Sequence, residues 1–146
     1  MAPLGYEGYW GPVTSSIDWC EPNYVWSPYV AELWNTLSSL VICFVGEYGA
    51  YTIAKSIQDV LGWLFRMITT VGIGSVAFHS TLQAFPGQFA DEAPMLWTAG
   101  GMLYLCADTQ LGPFGWWWPC FMAIVTIIGT ILTASTTGPL QFYLFQ

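Results

Sequence analysis

The sequence predicts an all-α integral membrane protein with about four transmembrane helices, and three observations carry that prediction. Hydrophobic residues make up 55% of the 146-residue chain, charged residues make up 8%, and mean hydropathy is +0.52. A soluble domain carries roughly 25% charged residues, because its outer face must meet water. The few charges are also withdrawn from long stretches: Met67 to Ala90 has none, and neither has Thr109 to Gln146. An apolar run of about 20 residues suffices for a helix to cross the hydrocarbon core.

Taken in order, residues 1–28 read as a loop-rich leader, interrupted by Pro3, Gly5, Gly8, Gly11, Pro12, Pro22 and Pro28. Trp10, Trp19 and Trp26 suit the membrane interface, where amphipathic rings collect. Residues 29–146 form the helical domain, with a first span at about 33–54 and the polar link KSIQD at 55–59. The second span covers about 61–82, and a connection near 83–90 holds Pro86-Gly87 as its turn signal. Asp91-Glu92-Ala93-Pro94 opens a third span at about 93–107, since acids and proline are favoured at a helix start. The fourth span covers about 116–135. The tail breaks off soon after Gly138-Pro139, which predicts a chain truncated at its C-terminus.

The net charge of -7 at pH 7 excludes a nucleic-acid partner, because phosphate binding needs clustered Lys and Arg. Glu7, Asp18, Glu21 and Glu32 lie before or at the first span, and no basic region precedes an early apolar run, so the N-terminus is not a signal peptide. Lys55 and Arg66, the two basic residues, flank the link between spans one and two. The excess of basic residues on cytosolic loops then places that link in the cytosol and the N-terminus on the lumenal or extracellular side. Cys43, Cys106 and Cys120 fall in or beside apolar segments, where a thiol behaves as a small hydrophobe. Cys20, in the leader, is open to a disulfide on a non-cytosolic side.

An acidic residue at a span centre costs about 2.5 to 3.5 kcal/mol on insertion scales, so such residues usually face the bundle interior and mark function. Glu32, Glu47 and His79 are the residues to weigh on those grounds. His79 is the only histidine and shares a helical face with Ser75, four residues earlier. A neutral imidazole hydrogen-bonded inside the bundle and a metal-binding or catalytic imidazole fit that position equally well. Glu47 has no evident partner and receives no role. In the leader, Asp18, Glu21 and Asn23 offer three oxygen-bearing side chains within six residues, and Glu32 follows. Calcium takes about 6 to 8 oxygen ligands, but the spacing matches no EF-hand, and as a bare pattern a solvated acidic loop explains it better.

Two long motifs change that balance. The leader segment GYWGPVTSSIDWCEPNYVWSPYVAELWNTLSSL, and GSVAFHSTL followed by DEAPMLW, resemble the alkaline ceramidase family, a branch of the seven-span membrane hydrolases that includes the adiponectin receptors. The resemblance covers essentially the whole chain and implies the first four spans of a seven-helix bundle. It implies a calcium site formed by Asp18, the Trp19 carbonyl, Glu21, Asn23 and Glu32, with His79 as a zinc ligand and Ser75 and Asp91 in the catalytic site. It further implies hydrolysis of the amide of ceramide to sphingosine and a fatty acid by zinc-activated water, under calcium regulation, in the endoplasmic reticulum or Golgi membrane.

The chain departs from the family in two respects. A catalytic zinc takes three protein ligands plus water, and the family's further pair of histidines near the C-terminus has no counterpart here, so the zinc site is expected to be incomplete. The stretch between His79 and Asp91 is about one residue longer than in the family, which the loop absorbs or which displaces Asp91. The alternatives are a catalytically inactive short membrane protein that binds lipid, calcium or a full-length relative, and a hydrolase of another lipid amide with unusual metal ligands. A four-helix half with an open inner face also predicts self-association or completion by other helices.

Overall fold

The computed structural model describes residues 8–16, 19–53, 60–112, 114–136 and Leu140. Asp18, the polar link at 55–59 with Lys55, and the tail beyond Thr136 apart from Leu140 lie outside the described residues. Those residues form four helices: α1 (Leu33–Thr52), α2 (Val60–Thr81), α3 (Phe89–Leu111) and α4 (Trp117–Ser135). No strand occurs among them beyond the isolated bridges Gly8–Gly11 and Ser27–Val30. Each helix packs on the next in sequence, as short connections between antiparallel helices dictate.

Small residues let α1 and α2 approach closely. A Cβ on Gly72 would lie 2.6 Å from the Cys43 backbone nitrogen, and one on Gly46 would lie 2.6 Å from that of Thr69. Close backbone approach through small residues is how helices associate where no water drives them together. α2 and α4 are long and apolar enough to cross a bilayer, with mean window hydropathies of 1.5 and 1.7. α1 and α3 fall short of that measure: α1 opens on Asn35, Thr36, Ser38 and Ser39 and carries Glu47, while α3 carries Asp91, Glu92 and Asp108. α4 buries only Thr133 and leaves Ile124, Ile127, Ile128 and Ile131 more than half exposed. An apolar surface of that extent suits lipid rather than water.

The leader is built onto the C-terminal end of α2. The last carbonyls of a helix have no partners within it and must find donors elsewhere. Here the Glu32 N–H donates to the His79 carbonyl at 2.9 Å and the Ala31 N–H to Ser80 at 2.9 Å. The Tyr24 hydroxyl donates to the Thr81 carbonyl at 3.2 Å. The Thr14 and Ser15 N–H groups both donate to Leu82, each at 3.1 Å. Leu82 adopts a left-handed conformation (φ 51°) and is wholly buried against Tyr24, Ala31 and Phe78. A glycine is the usual residue in that role, and here burial of the leucine side chain offsets the backbone strain.

The connection to α3 is shorter than the sequence implies. A kinked wide turn spans Ala84–Gln88, and α3 starts at Phe89, so Asp91 and Glu92 lie in its first turn as expected. Pro94, expected at the start, falls inside the helix. The reason is that Gln88 already has helical dihedrals (φ -59°, ψ -40°), so the helix is under way before the acids. Gln83 ties this turn to the leader: its amide nitrogen donates to the carbonyls of Pro12 at 3.0 Å and Trp10 at 3.3 Å.

Candidate functional site

The leader end of α2 gathers the polar side chains that the apolar stretches exclude. His79, in the last turn, has its Nδ1 2.6 Å from Glu32 Oε2. Glu32 immediately precedes α1 and is wholly buried. An ionised Glu32 makes Nδ1 the protonated nitrogen and leaves the Nε2 lone pair as the acceptor face of the ring. Trp19 and Phe78 flank the imidazole edge-on and tilted, with ring centroids at 6.0 and 5.1 Å.

α1 contributes one face to this group. Glu32, Asn35 and Ser39 recur at helical spacing and so line up along one side of the helix. The Asn35 side-chain amide donates to Glu32 Oε2 at 2.9 Å. Its backbone N–H donates to Glu21 Oε2 at 3.0 Å, and the Trp34 N–H donates to Glu21 Oε1 at 2.9 Å. Glu21 thus receives two of the unpaired donors at the start of α1, where a negative charge is favoured. One turn further on, Ser39 lies 3.0 Å from Ser75 Oγ on α2, both hydroxyls being buried.

α3 closes the group. Asp91 shares a side-chain hydrogen bond with Ser75 and lies near enough to His79 and Glu92 to feel their charge. Its position depends on the backbone beside it. Pro94 has no N–H to bond the Ala90 carbonyl four residues back, and that carbonyl rests against Gly74 so tightly that any Cβ there would overlap it. Gly74 and Pro94 together let α2 and α3 meet at the level where Ser75 faces Asp91. The longer stretch between His79 and Asp91 is accommodated in the turn, and Asp91 still reaches Ser75.

Behind Asp91 lies a second pair. Gln88 donates to Glu92 Oε1 at 2.6 Å and accepts the Ser16 N–H at 2.9 Å, which fastens the leader beside α3. Of the residues assigned to a calcium site, Glu21 and Glu32 are linked through Asn35, Asn23 is half-buried in the same leader segment, and Trp19 is exposed beside His79. Glu32 Oε1 is buried with no hydrogen-bond partner, which is the condition of a carboxylate oxygen suited to a cation. Among the described residues no group of three His, Cys, Asp or Glu side chains is disposed to hold a metal. His79 Nε2, backed by a carboxylate on its other nitrogen, fits one ligand position of a zinc ion, and these residues do not complete such a site.

Sequence reasoning singled out Ser75, His79, Asp91 and Glu32, and the structure brings these four together. It passed over Asn35, Ser39, Gln88 and Glu92. Spacing from Glu32 marks Asn35 and Ser39 as sharing its helical face, but their partners lie on other segments.

The chain matches the family model described as Ceramidase over residues 11–145. Alkaline ceramidase 3 of Mus musculus is 41% identical over 109 residues, covering 71% of this chain and 39% of the relative. The putative alkaline ceramidase dcd3A of Dictyostelium discoideum is 39% identical over 116 residues, covering 68% and 40% respectively. Alkaline ceramidase YPC1 of Saccharomyces cerevisiae is 42% identical over 94 residues, covering 62% and 28%. The chain therefore spans between 28% and 40% of the length of these relatives.

Proposed function

The chain belongs to the ceramidase family, and from that premise we propose that it carries part of the site of a membrane hydrolase that cleaves the amide of ceramide to sphingosine and a fatty acid. The observation that carries this reading is the meeting of Ser75, His79 and Asp91 from two helices at one end of the bundle, under the leader. Asp91 takes a proton from the attacking water as its oxygen bonds to the amide carbon, and delivers it to the departing amine as the C–N bond breaks. The Ser75 hydroxyl donates a hydrogen bond to the oxygen on which charge develops. His79 supplies one zinc ligand through Nε2, and zinc, when bound with ligands from beyond this group, polarises the carbonyl and acidifies water.

Calcium belongs to the same reading. Glu21, Asn23, Glu32 and the Trp19 carbonyl, together with Asp18, would hold it, and the unpartnered Glu32 Oε1 supports that assignment. The two-part organisation, a leader at 1–28 and a helical domain at 29–146, then places a calcium-bound cap over the end of the bundle. All four helices cross the bilayer in this reading, with the polar groups of α1 and α3 turned inward. The leader faces the lumen of the endoplasmic reticulum or Golgi, and further helices or a second copy complete the bundle. A substrate embedded in lipid enters such a site sideways from the membrane.

The absence of a three-ligand metal group among the described residues favours a second reading, in which the chain binds ceramide-type lipid without cleaving it. Photolabelling tests what both readings share. A photoactivatable ceramide is expected to label the chain in membranes, with competition by unlabelled ceramide. Labelling no stronger than that by a phosphatidylcholine probe of equal chain length would remove ceramide as the ligand.

A further inference from the structure

The hydrogen count at the α1–α2 contact assigns a role to a residue outside the site described above. Ser39 Oγ lies 2.7 Å from the Asn35 carbonyl oxygen and 3.0 Å from Ser75 Oγ, with a single hydrogen to give. Ser75 likewise has one hydrogen and faces both Ser39 and Asp91. Both serines are buried, at 3% and 7% exposure, so water does not make up a missing donor. A carboxylate only accepts. If Ser39 gives its hydrogen to Asn35, Ser75 must turn its own toward Ser39 to satisfy that contact, and Asp91 receives none. If Ser39 donates to Ser75, the Ser75 hydrogen is free for the α3 side.

We propose that Ser39 is a positioning residue for Ser75: it donates to Ser75 Oγ and so directs the one Ser75 hydrogen toward Asp91 and toward any group bound beside it. Its bearing on hydrolysis rests on the ceramidase-type reading, whereas the direction of the hydrogen bonds is a property of the chain whatever its substrate. Chains of hydroxyls ending on a carboxylate reinforce one another in a low-dielectric interior. Ser39 and Asp91 share no printed hydrogen bond of their own, so any energetic coupling between them passes through Ser75.

The test is an unfolding comparison on the full chain in mixed micelles. Asp91→Asn is expected to shift the unfolding equilibrium about threefold less in a Ser39→Ala background than in the parent, because the relay is already cut. Ser39→Thr, which keeps the hydroxyl, restores the parent response, and in a Ser75→Ala background the difference between Ser39 and Ser39→Ala disappears. An equal response to Asp91→Asn in all four backgrounds overturns the proposal. Should Asp91→Asn prevent folding, Ser75→Cys supplies an infrared reporter, its S–H stretch being isolated by subtracting the spectrum of the chain with serine at 75. A band that moves between Ser39 and Ser39→Ala supports the assignment, and an unmoved band overturns it.

Discussion

His79 Nδ1 and Glu32 Oε2 meet at 2.6 Å across the junction of the leader and α2, and Glu32 has no exposed surface. The same carboxylate oxygen accepts from Asn35. Glu32→Ala removes the partner of two buried polar groups at once and is expected to cost about 3 kcal/mol of stability. Glu32→Gln keeps the shape and one acceptor, and is expected to cost about 1 kcal/mol. Chemical unfolding in mixed micelles measures both, and equal, negligible costs would mean that the pair does not hold the leader to α2.

Gly74 is tested by contrast with Gly129. A Cβ at Gly74 would overlap the Ala90 carbonyl, whereas one at Gly129 meets nothing within 4 Å. Gly74→Ala is therefore expected to destabilise by about 1–3 kcal/mol through forced separation of α2 and α3. Gly129→Ala, in the middle of α4, is expected to be neutral or to stabilise by up to about 1 kcal/mol. Paired unfolding curves decide this, and a tolerant Gly74 would contradict the close contact that places Asp91 at Ser75.

Much of this arrangement is legible in the sequence where it depends on one segment alone. The charge-free stretches located α2 and α4, and the four-residue spacing put Ser75 and His79 on one face. What was not legible depends on how segments cross. Ser39 finds Ser75 on another helix, 36 positions away. Leu82 takes a left-handed conformation with no glycine to announce it, and the α2 carbonyls are capped by leader donors such as the Thr14 N–H. Pro94 read as a helix start because proline is favoured there, yet the turn before it was already helical and its missing N–H serves the contact with Gly74 instead.

Tyr24 makes the leader sensitive to alkaline pH. Burial raises its phenol above the ordinary value of 10.0, because the ionised form loses solvation. A raised acid of this kind contributes stability that is fully present below the unfolded value and is lost as pH rises through the folded one. Leader docking, followed by amide hydrogen exchange at Thr14 and Ala31, is expected to hold below about pH 10 and weaken above it. Tyr24→Phe should flatten that dependence, and an identical alkaline profile in the variant would rule Tyr24 out as its source.

Calcium, if held by Glu21, Asn23 and Glu32 with Asp18 and the Trp19 carbonyl, stabilises the folded chain by binding it in preference to the unfolded one. Thermal unfolding in detergent is expected to shift upward with calcium and back with a chelator, and Glu21→Ala should abolish the shift. A parent chain that melts at the same temperature with and without calcium would contradict the assignment.

The most direct test of the whole account is ceramide hydrolysis by a full-length relative in which the matched segment is replaced by residues 11–145 of this chain. Sphingosine release is measured in membranes, with insertion and folding checked independently. The account predicts release well above background that is lost with His79→Ala, Ser75→Ala or Asp91→Ala. A folded chimera that releases none while the unmodified relative is active, or release that survives all three substitutions, would contradict it.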